Sequence, residues 1–367
     1  MNDVLPWILL LSVIAAAVGF FAGRRSIGTA PSAGAKGYGN EVKPAPATTS
    51  ATSATSTPRG PAIPTPKPAS VSRPAQPASD SLTGLLGKAR SWGYQLQKLD
   101  IPRAAASEHD LLVIDYSKDG TESGALKPAD VERLKRKPDG SRRVVVAYCS
   151  VGEAESYRPY WQKDWKREQP VWLLGENPEW EENYSVCFWD QGWQRIVCGE
   201  PGALVDRIIA QGFDGVYLDK CDVYEDLREH FKSVAKSRPN LEGDMVAFVR
   251  RISSYAKSKR PDFLVIMQNA EPLLERAELR RAIDASAKEE LLFGLDRPEK
   301  PNARDEVEES RVLLDRMKRD GKPVFMVEYL NNQSRIDEAV TAAEKLGYVL
   351  YIAPKDRELA RLNSPAG

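Results

Sequence analysis

Eight short apolar segments, separated by stretches of helical periodicity, limit what this chain can fold into. They lie at 92–97, 111–115, 143–148, 215–218, 263–268, 282–286, 323–328 and 348–352. Most are rich in β-branched, aromatic and aliphatic residues with no polar alternation, the pattern of strands buried on both faces of a parallel sheet. The spacing predicts helices over 128–137, 201–211, 245–258, 273–281, 303–319 and 335–346. Pro128 stands near a helix start, and Gly212, Gly321 and Gly347 act as stops. Eight such units in roughly 280 residues match the size and rhythm of an α/β (β/α)8 TIM barrel. A doubly wound open sheet is the alternative. No GxGxxG follows the first strand and no Walker loop is present, which argues against a nucleotide-binding version.

The barrel is expected over residues 81–362. Residues 27–80 are rich in Ala, Pro, Ser, Thr and Gly. They bury too little apolar surface to offset their ordering entropy and are expected to form a disordered linker. Residues 6–22 are almost wholly apolar, and residues 1–26 are expected to be a signal-anchor or signal peptide. Asp3 precedes the apolar run and Arg24-Arg25 follow it, so the positive-inside rule read strictly leaves the following chain in the cytoplasm. An anchor, a spacer and a globular domain instead suit a cell-envelope protein, periplasmic or extracellular, membrane-anchored or secreted. The cytoplasm-facing arrangement stays open.

Composition narrows the chemistry. Lys plus Arg and Asp plus Glu balance at 52 each, so nothing favours nucleic acid as a partner. His109 and His230 are the only histidines, and no CxxC pair occurs. A zinc site, a Ser-His-Asp triad and a cofactor are therefore not expected, and acid–base work falls to carboxylates. Cys187 and Cys198 are close enough in sequence for a disulfide outside the cytoplasm, and Cys149 and Cys221 fall at strand ends that can adjoin. Buried free thiols are an equal expectation.

The residues just past the strands are polar in a way the strands are not. The first strand ends near Gln95 and Gln97, the second at Asp115, the third at Tyr148 with Glu153 beyond. The fourth leads to Asp219 and Asp222, the fifth to Gln268 and Asn269. The sixth runs into Lys288, Glu289 and Glu290, and the seventh ends at Glu328 and Tyr329. Any one of these is ordinary as a cap or turn former. Together they fall on the rim where barrel enzymes bind ligands. Facing carboxylates suit glycosidic cleavage, one protonating the leaving oxygen while the other attacks or activates water. An aromatic insertion between the third and fourth strands runs from Tyr157 to Trp193 and includes Trp161, Trp165, Trp172 and Trp180. Most of it is expected to pack the insertion, with two or three rings left for sugar faces.

Six segments then carry a family resemblance: Trp92-Gly-Tyr-Gln-Leu-Gln, Val113-Ile-Asp-Tyr-Ser, Ala147-Tyr-Cys-Ser-Val-Gly-Glu-Ala-Glu, Tyr157-Arg-Pro-Tyr-Trp, Gly212-Phe-Asp-Gly-Val-Tyr-Leu-Asp and Lys288-Glu-Glu-Leu-Leu-Phe. In this order they resemble glycoside hydrolase family 114, the endo-α-1,4-polygalactosaminidases and their relatives, over residues 92–353. The resemblance implies a (β/α)8 barrel that cleaves an amino-sugar polymer, with a catalytic Asp after the fourth strand and a Glu after the sixth. On this chain those are Asp219, as nucleophile, and Glu289, as general acid/base. Glu290 and Asp222 are their rivals. Asp115, Tyr148, Glu153, Asp222, Asn269, Glu290, Glu328 and Tyr329 would line a substrate cleft. The implied partner is a polysaccharide bound by a monomer, and an acidic rim suits a cationic polymer. A carbohydrate-binding or envelope protein on a barrel that has lost catalysis, and a glycosidase of other specificity, are the alternatives.

Overall fold

The computed structural model describes residues 81–365 other than 179. The expected signal segment and the whole of the expected linker lie outside them. Among the described residues, no helix is long and apolar enough to cross a membrane.

Seven of the eight expected strands form within two residues of their expected bounds; the sixth, expected over 282–286, runs over 285–289 because a helix extends to Ala282. In chain order, and including three further strands, they are β1 (Trp92–Gln95), β2 (Leu111–Ile114), β3 (Val144–Ser150), β4 (Glu153–Glu155), β5 (Leu173–Glu176), β6 (Asn183–Val186), β7 (Gly215–Asp219), β8 (Leu264–Gln268), β9 (Ala285–Glu289), β10 (Val324–Tyr329) and β11 (Val349–Ala353). One parallel sheet runs β1-β2-β3-β7-β8-β9-β10-β11. Strands β4, β6 and β5 make a small antiparallel sheet inside the aromatic insertion. These three were not expected, because their sequences mix polar and apolar residues over only three or four positions.

Two apolar layers result from the period-2 alternation of strands. Trp92, Tyr94, Leu111, Val113, Val144, Val146, Tyr217, Ile266 and Phe325 belong to a cluster inside the barrel. The alternate residues, such as Leu112, Val145, Val216, Val265 and Met326, join a larger cluster with the surrounding helices. Helix 241–259 buries Met245, Phe248, Val249 and Ile252 in that outer layer. Gly215 opens β7 because a Cβ there would come within 2.4 Å of the Leu264 carbonyl oxygen on the neighbouring strand.

The barrel closes differently at one place. No ladder of backbone hydrogen bonds joins β1 to β11 among the described residues. Side chains bridge the seam instead. The Trp92 indole N–H donates to the carbonyls of Val349 at 3.0 Å and Met326 at 3.3 Å. The Tyr351 hydroxyl accepts from backbone N–H groups of Asn363, at 3.1 Å, and of Tyr94.

The insertion is packed by its own rings. Trp161 lies against Tyr184, Trp165 against Trp172, and Trp172 against Trp193, at centroid distances of 4.8, 4.9 and 5.2 Å. Trp180 is the exception and is exposed. All four cysteines are free thiols. Of the two cysteine expectations the free thiols hold and the disulfides do not: Cys149, Cys198 and Cys221 are buried as small apolar groups, and burial pushes the Cys149 thiol up to about 12.

Candidate active site

Strand parity decides which polar residues meet. On β7, Gly215 and Tyr217 face inward, and so does Asp219. On β8 the inward set is Leu264, Ile266 and Gln268. On β9 it is Ala285, Ala287 and Glu289, and on β10 Phe325, Val327 and Tyr329. Four adjacent strands therefore deliver Asp219, Gln268, Glu289 and Tyr329 to one end of the barrel. The chain then turns away sharply. Lys220, Asn269 and Glu290 all take left-handed backbone conformations, with φ of 57°, 54° and 51°. None is glycine, and such residues cost of order 1–3 kcal/mol each, a form of strain that clusters at functional sites.

The two carboxylates are held from all sides. Asp219 accepts from the Tyr148 hydroxyl at 2.9 Å, from the Lys220 backbone N–H at 2.8 Å and from Gln268 Nε2 at 3.2 Å. Glu289 accepts from the Tyr329 hydroxyl, from Gln268 Nε2 at 2.5 Å and from Asn269 Nδ2 at 3.5 Å. Asn269 Oδ1 in turn accepts the Glu289 backbone N–H at 3.1 Å. Because one nitrogen reaches both acids, the distance from Asp219 Oδ1 to Glu289 Oε2 is bounded by the sum of the two legs, 5.7 Å.

No cation makes an ion pair with either acid among the described residues. Burial, then the charges of Glu289 and Asp222, push Asp219 from its ordinary 3.8 up to about 7, against the opposing pull of Lys220. Burial likewise raises Glu289, while the Tyr329 hydrogen bond works against it. Two like charges this close in a buried site raise each other's proton affinity, so the protons come off the pair as a unit.

The other expected cleft residues are distributed unevenly. Tyr148, Asn269 and Tyr329 touch the acids directly. Asp222 sits half-buried at the start of the helix Val223–His230, with no side-chain cap bond, and burial raises its carboxyl. Glu153 is tied to Lys220 at 3.2 Å and to Asn177 at 2.8 Å, so it pins the insertion beside Asp219. Asp115 is locked in a two-pronged pair with Arg158, at 2.9 and 2.7 Å, and Arg158 also holds Glu155 at 2.7 Å. Glu290 turns away and pairs with Arg357.

Glu328 requires a correction. It is fully buried outside the barrel, where its carboxylate accepts from the backbone N–H groups of Leu292 at 2.8 Å and Phe293 at 3.3 Å. It braces the loop after β9 and does not line the cleft. A strand-end position alone did not reveal this, because 328 has the opposite parity to 327 and 329.

Gln268 is the residue the sequence reading left out of the site. Its signal is the same parity: 264, 266 and 268 share a face, and Asn269 lies one residue beyond the strand.

The model of glycoside hydrolase family 114 matches residues 72–364. The chain belongs to this family. Hydrolysis of a glycosidic bond is the chemistry that this membership supports. An uncharacterised protein of Methanocaldococcus jannaschii is 38% identical over 285 residues, covering 74% of this chain and 78% of that protein. An uncharacterised protein of Deinococcus radiodurans is 35% identical over 306 residues, covering 82% of this chain and 91% of its own length. Among solved structures, the glycoside hydrolase domain of PelA from Pseudomonas aeruginosa aligns with a TM-score of 0.53 at 18% identity, over 75% of this chain and 98% of that one. That likeness is one of fold: both are built on the same barrel.

Proposed function

We propose that this protein is an endo-acting glycoside hydrolase that cleaves an α-1,4-linked, galactosamine-containing polysaccharide with retention of anomeric configuration. The carrying observation is the 5.7 Å ceiling between Asp219 Oδ1 and Glu289 Oε2. Carboxyl groups of retaining enzymes stand about 5–5.5 Å apart, and those of inverting enzymes about 6.5–9.5 Å, leaving room for a water. The substrate class is what the resemblance to the endo-α-1,4-polygalactosaminidases implies, and family membership supports the glycosidic hydrolysis.

In the first step Glu289 gives its proton to the glycosidic oxygen. A carboxylate oxygen of Asp219 bonds to the anomeric carbon as the bond to the leaving sugar breaks. In the second step Glu289, now anionic, takes a proton from water. The water oxygen bonds to the anomeric carbon, and the ester bond to Asp219 breaks. Tyr148 and the Lys220 amide orient the nucleophile, and Tyr329 and Asn269 orient the acid.

A panel of amino-sugar polymers assayed for new reducing ends tests the substrate. Proton NMR of the first product tests the stereochemistry, and trapping with a 5-fluoro glycosyl fluoride followed by peptide mass spectrometry tests the nucleophile. An inverted first product, or a label on a residue other than Asp219, would overturn the assignment. The apolar run at 6–22 and the polar spacer after it support an envelope placement, which a C-terminal topology reporter tests; a reporter active only in the cytoplasm would remove it.

A further inference from the structure

Gln268 stands on β8 between the two acids and is 1% exposed. A carboxamide nitrogen carries two hydrogens, and here each has its own carboxylate, at 3.2 Å on Asp219 and 2.5 Å on Glu289. The other end of the same amide is unsatisfied: Oε1 is buried with no hydrogen-bond partner. An orphaned buried acceptor costs about 1–3 kcal/mol. Flipping the amide would aim that oxygen at two acids and forfeit both N–H donations. The negative charge of the acid pair is what holds the amide in this orientation.

We propose that Gln268 is a positioning residue that stabilises the single negative charge of the carboxylate pair in both half-reactions, through one N–H for each acid. This rests on reading Asp219 as nucleophile and Glu289 as acid/base. Before the first step the charge sits on Asp219 and the proton on Glu289. Once the ester forms and the proton has left with the sugar, the charge sits on Glu289. The second step returns it. Between Asp219 Oδ1 and Glu289 Oε2 the charge travels no more than 5.7 Å. Gln268 touches both oxygens, so neither position requires it to rotate. Donors fixed in advance avoid the reorganisation that water would need at the same place.

Other groups also face the pair. Asp219 is met by Tyr148 from β3, by Tyr94 from β1 and by Lys220 and Asp222 beyond its own strand. Glu289 is met by Tyr329 from β10, by Lys288 and Glu290 on either side of it, and by Arg357 beyond β11. Tyr217 lies below both. These are the same in wild type and variant, so their influence cancels in a comparison at position 268.

The test uses Gln268→Met, similar in volume without the donor, and Gln268→Glu, similar in shape with a third acid. Two readouts are taken on the full chain: the pH profile of kcat/KM on an amino-sugar oligosaccharide, and substrate-free titration of carboxyl carbons by 13C NMR with Asp and Glu labelled. A hydrogen bond to the charged form lowers a carboxyl pKa, so its loss raises it. Gln268→Met should move both limbs of the profile up by about one unit and slow both half-reactions about 100-fold. Gln268→Glu should make the cluster retain one further proton at neutral pH. If both variants fold and titrate as wild type does while activity falls, Gln268 only packs the site and the proposal fails. If the carboxyl titration shifts as described but the wild type cleaves no sugar in the panel, the bridging of the acids stands and the glycosidase reading fails.

Discussion

Strand β7 is flanked by two aspartates with opposite surroundings. Asp214, just before the strand, is fully buried among cations: Arg142 at 2.8 Å, Lys135 at 3.3 Å and Arg260 at 3.3 Å, with the Val145 backbone N–H at 3.0 Å. Asp219, at the far end, receives only neutral donors and faces another acid. The first arrangement surrounds a carboxylate with cations and fastens β7 to its neighbours. The second leaves a carboxyl group near its balance point, which is what proton transfer and nucleophilic attack require. In barrels of this kind one end of the strands holds the fold together and the other does the chemistry. Here a single five-residue strand carries both kinds of end.

The sharpest way to break that comparison is to make both aspartates uncharged. Asp219→Asn should lower kcat by about 10⁴-fold in a reducing-end assay, as expected for loss of a nucleophile, with the fold intact by circular dichroism. Asp214→Asn should leave kcat per folded molecule within about twofold and lower stability by about 3–5 kcal/mol in urea unfolding, because three buried or half-buried cations lose their partner. A loss of activity per folded molecule at Asp214 would erase the distinction.

The pH dependence should also separate them. The folded pKa of Asp219, about 7, lies above its ordinary 3.8. The native state thus binds more protons than the unfolded chain between those values. The contribution of this group to stability is complete below about pH 4, falls as pH rises towards 7, and is flat above. Replacing it with Asn should change that slope, and the variant should be more stable than wild type by about 4 kcal/mol at pH 8 with no such gain at pH 4. Equal differences at both pH values would mean that the site does not raise the proton affinity of Asp219. The smallest effects come from trimming single partners. Tyr148→Phe removes one donor to Asp219 and should cost about tenfold in kcat, or about 1.4 kcal/mol. Arg142→Met leaves Asp214 two cations and should cost about 1 kcal/mol of stability with kcat unchanged.

Much of this was written in the sequence, and the gaps have physical causes. The eight barrel strands were legible because runs such as Val144-Val-Val-Ala and Leu264-Val-Ile-Met suit only a sheet buried on both faces. The same property hid which side each residue takes. With both faces apolar there is no alternation to read, so Glu328 was placed in the cleft and Gln268 left out of the site. Glu289 and Glu290 were inseparable for the same reason, until the left-handed turn at Glu290 set its direction. The locking of Asp115 by Arg158 spans 43 positions in sequence and depends on how the insertion folds back. Short strands with mixed composition gave no warning of that insertion's sheet.

The seam between β1 and β11 gives the barrel a preferred place to part. Elsewhere, separating two strands means breaking a ladder of main-chain bonds together. At the seam it means withdrawing the Trp92 indole and the Tyr351 phenol and releasing the Leu359 carbonyl, which accepts from the Leu96 and Gln97 backbone N–H groups. Amide protons of β1 and β11 should therefore exchange with solvent sooner than those of β7 and β8, through openings that leave the rest of the sheet paired. The carboxylate pair lies on β7 and β9, away from that hinge line, so the barrel can breathe at its first and last strands without disturbing the distance on which its chemistry depends.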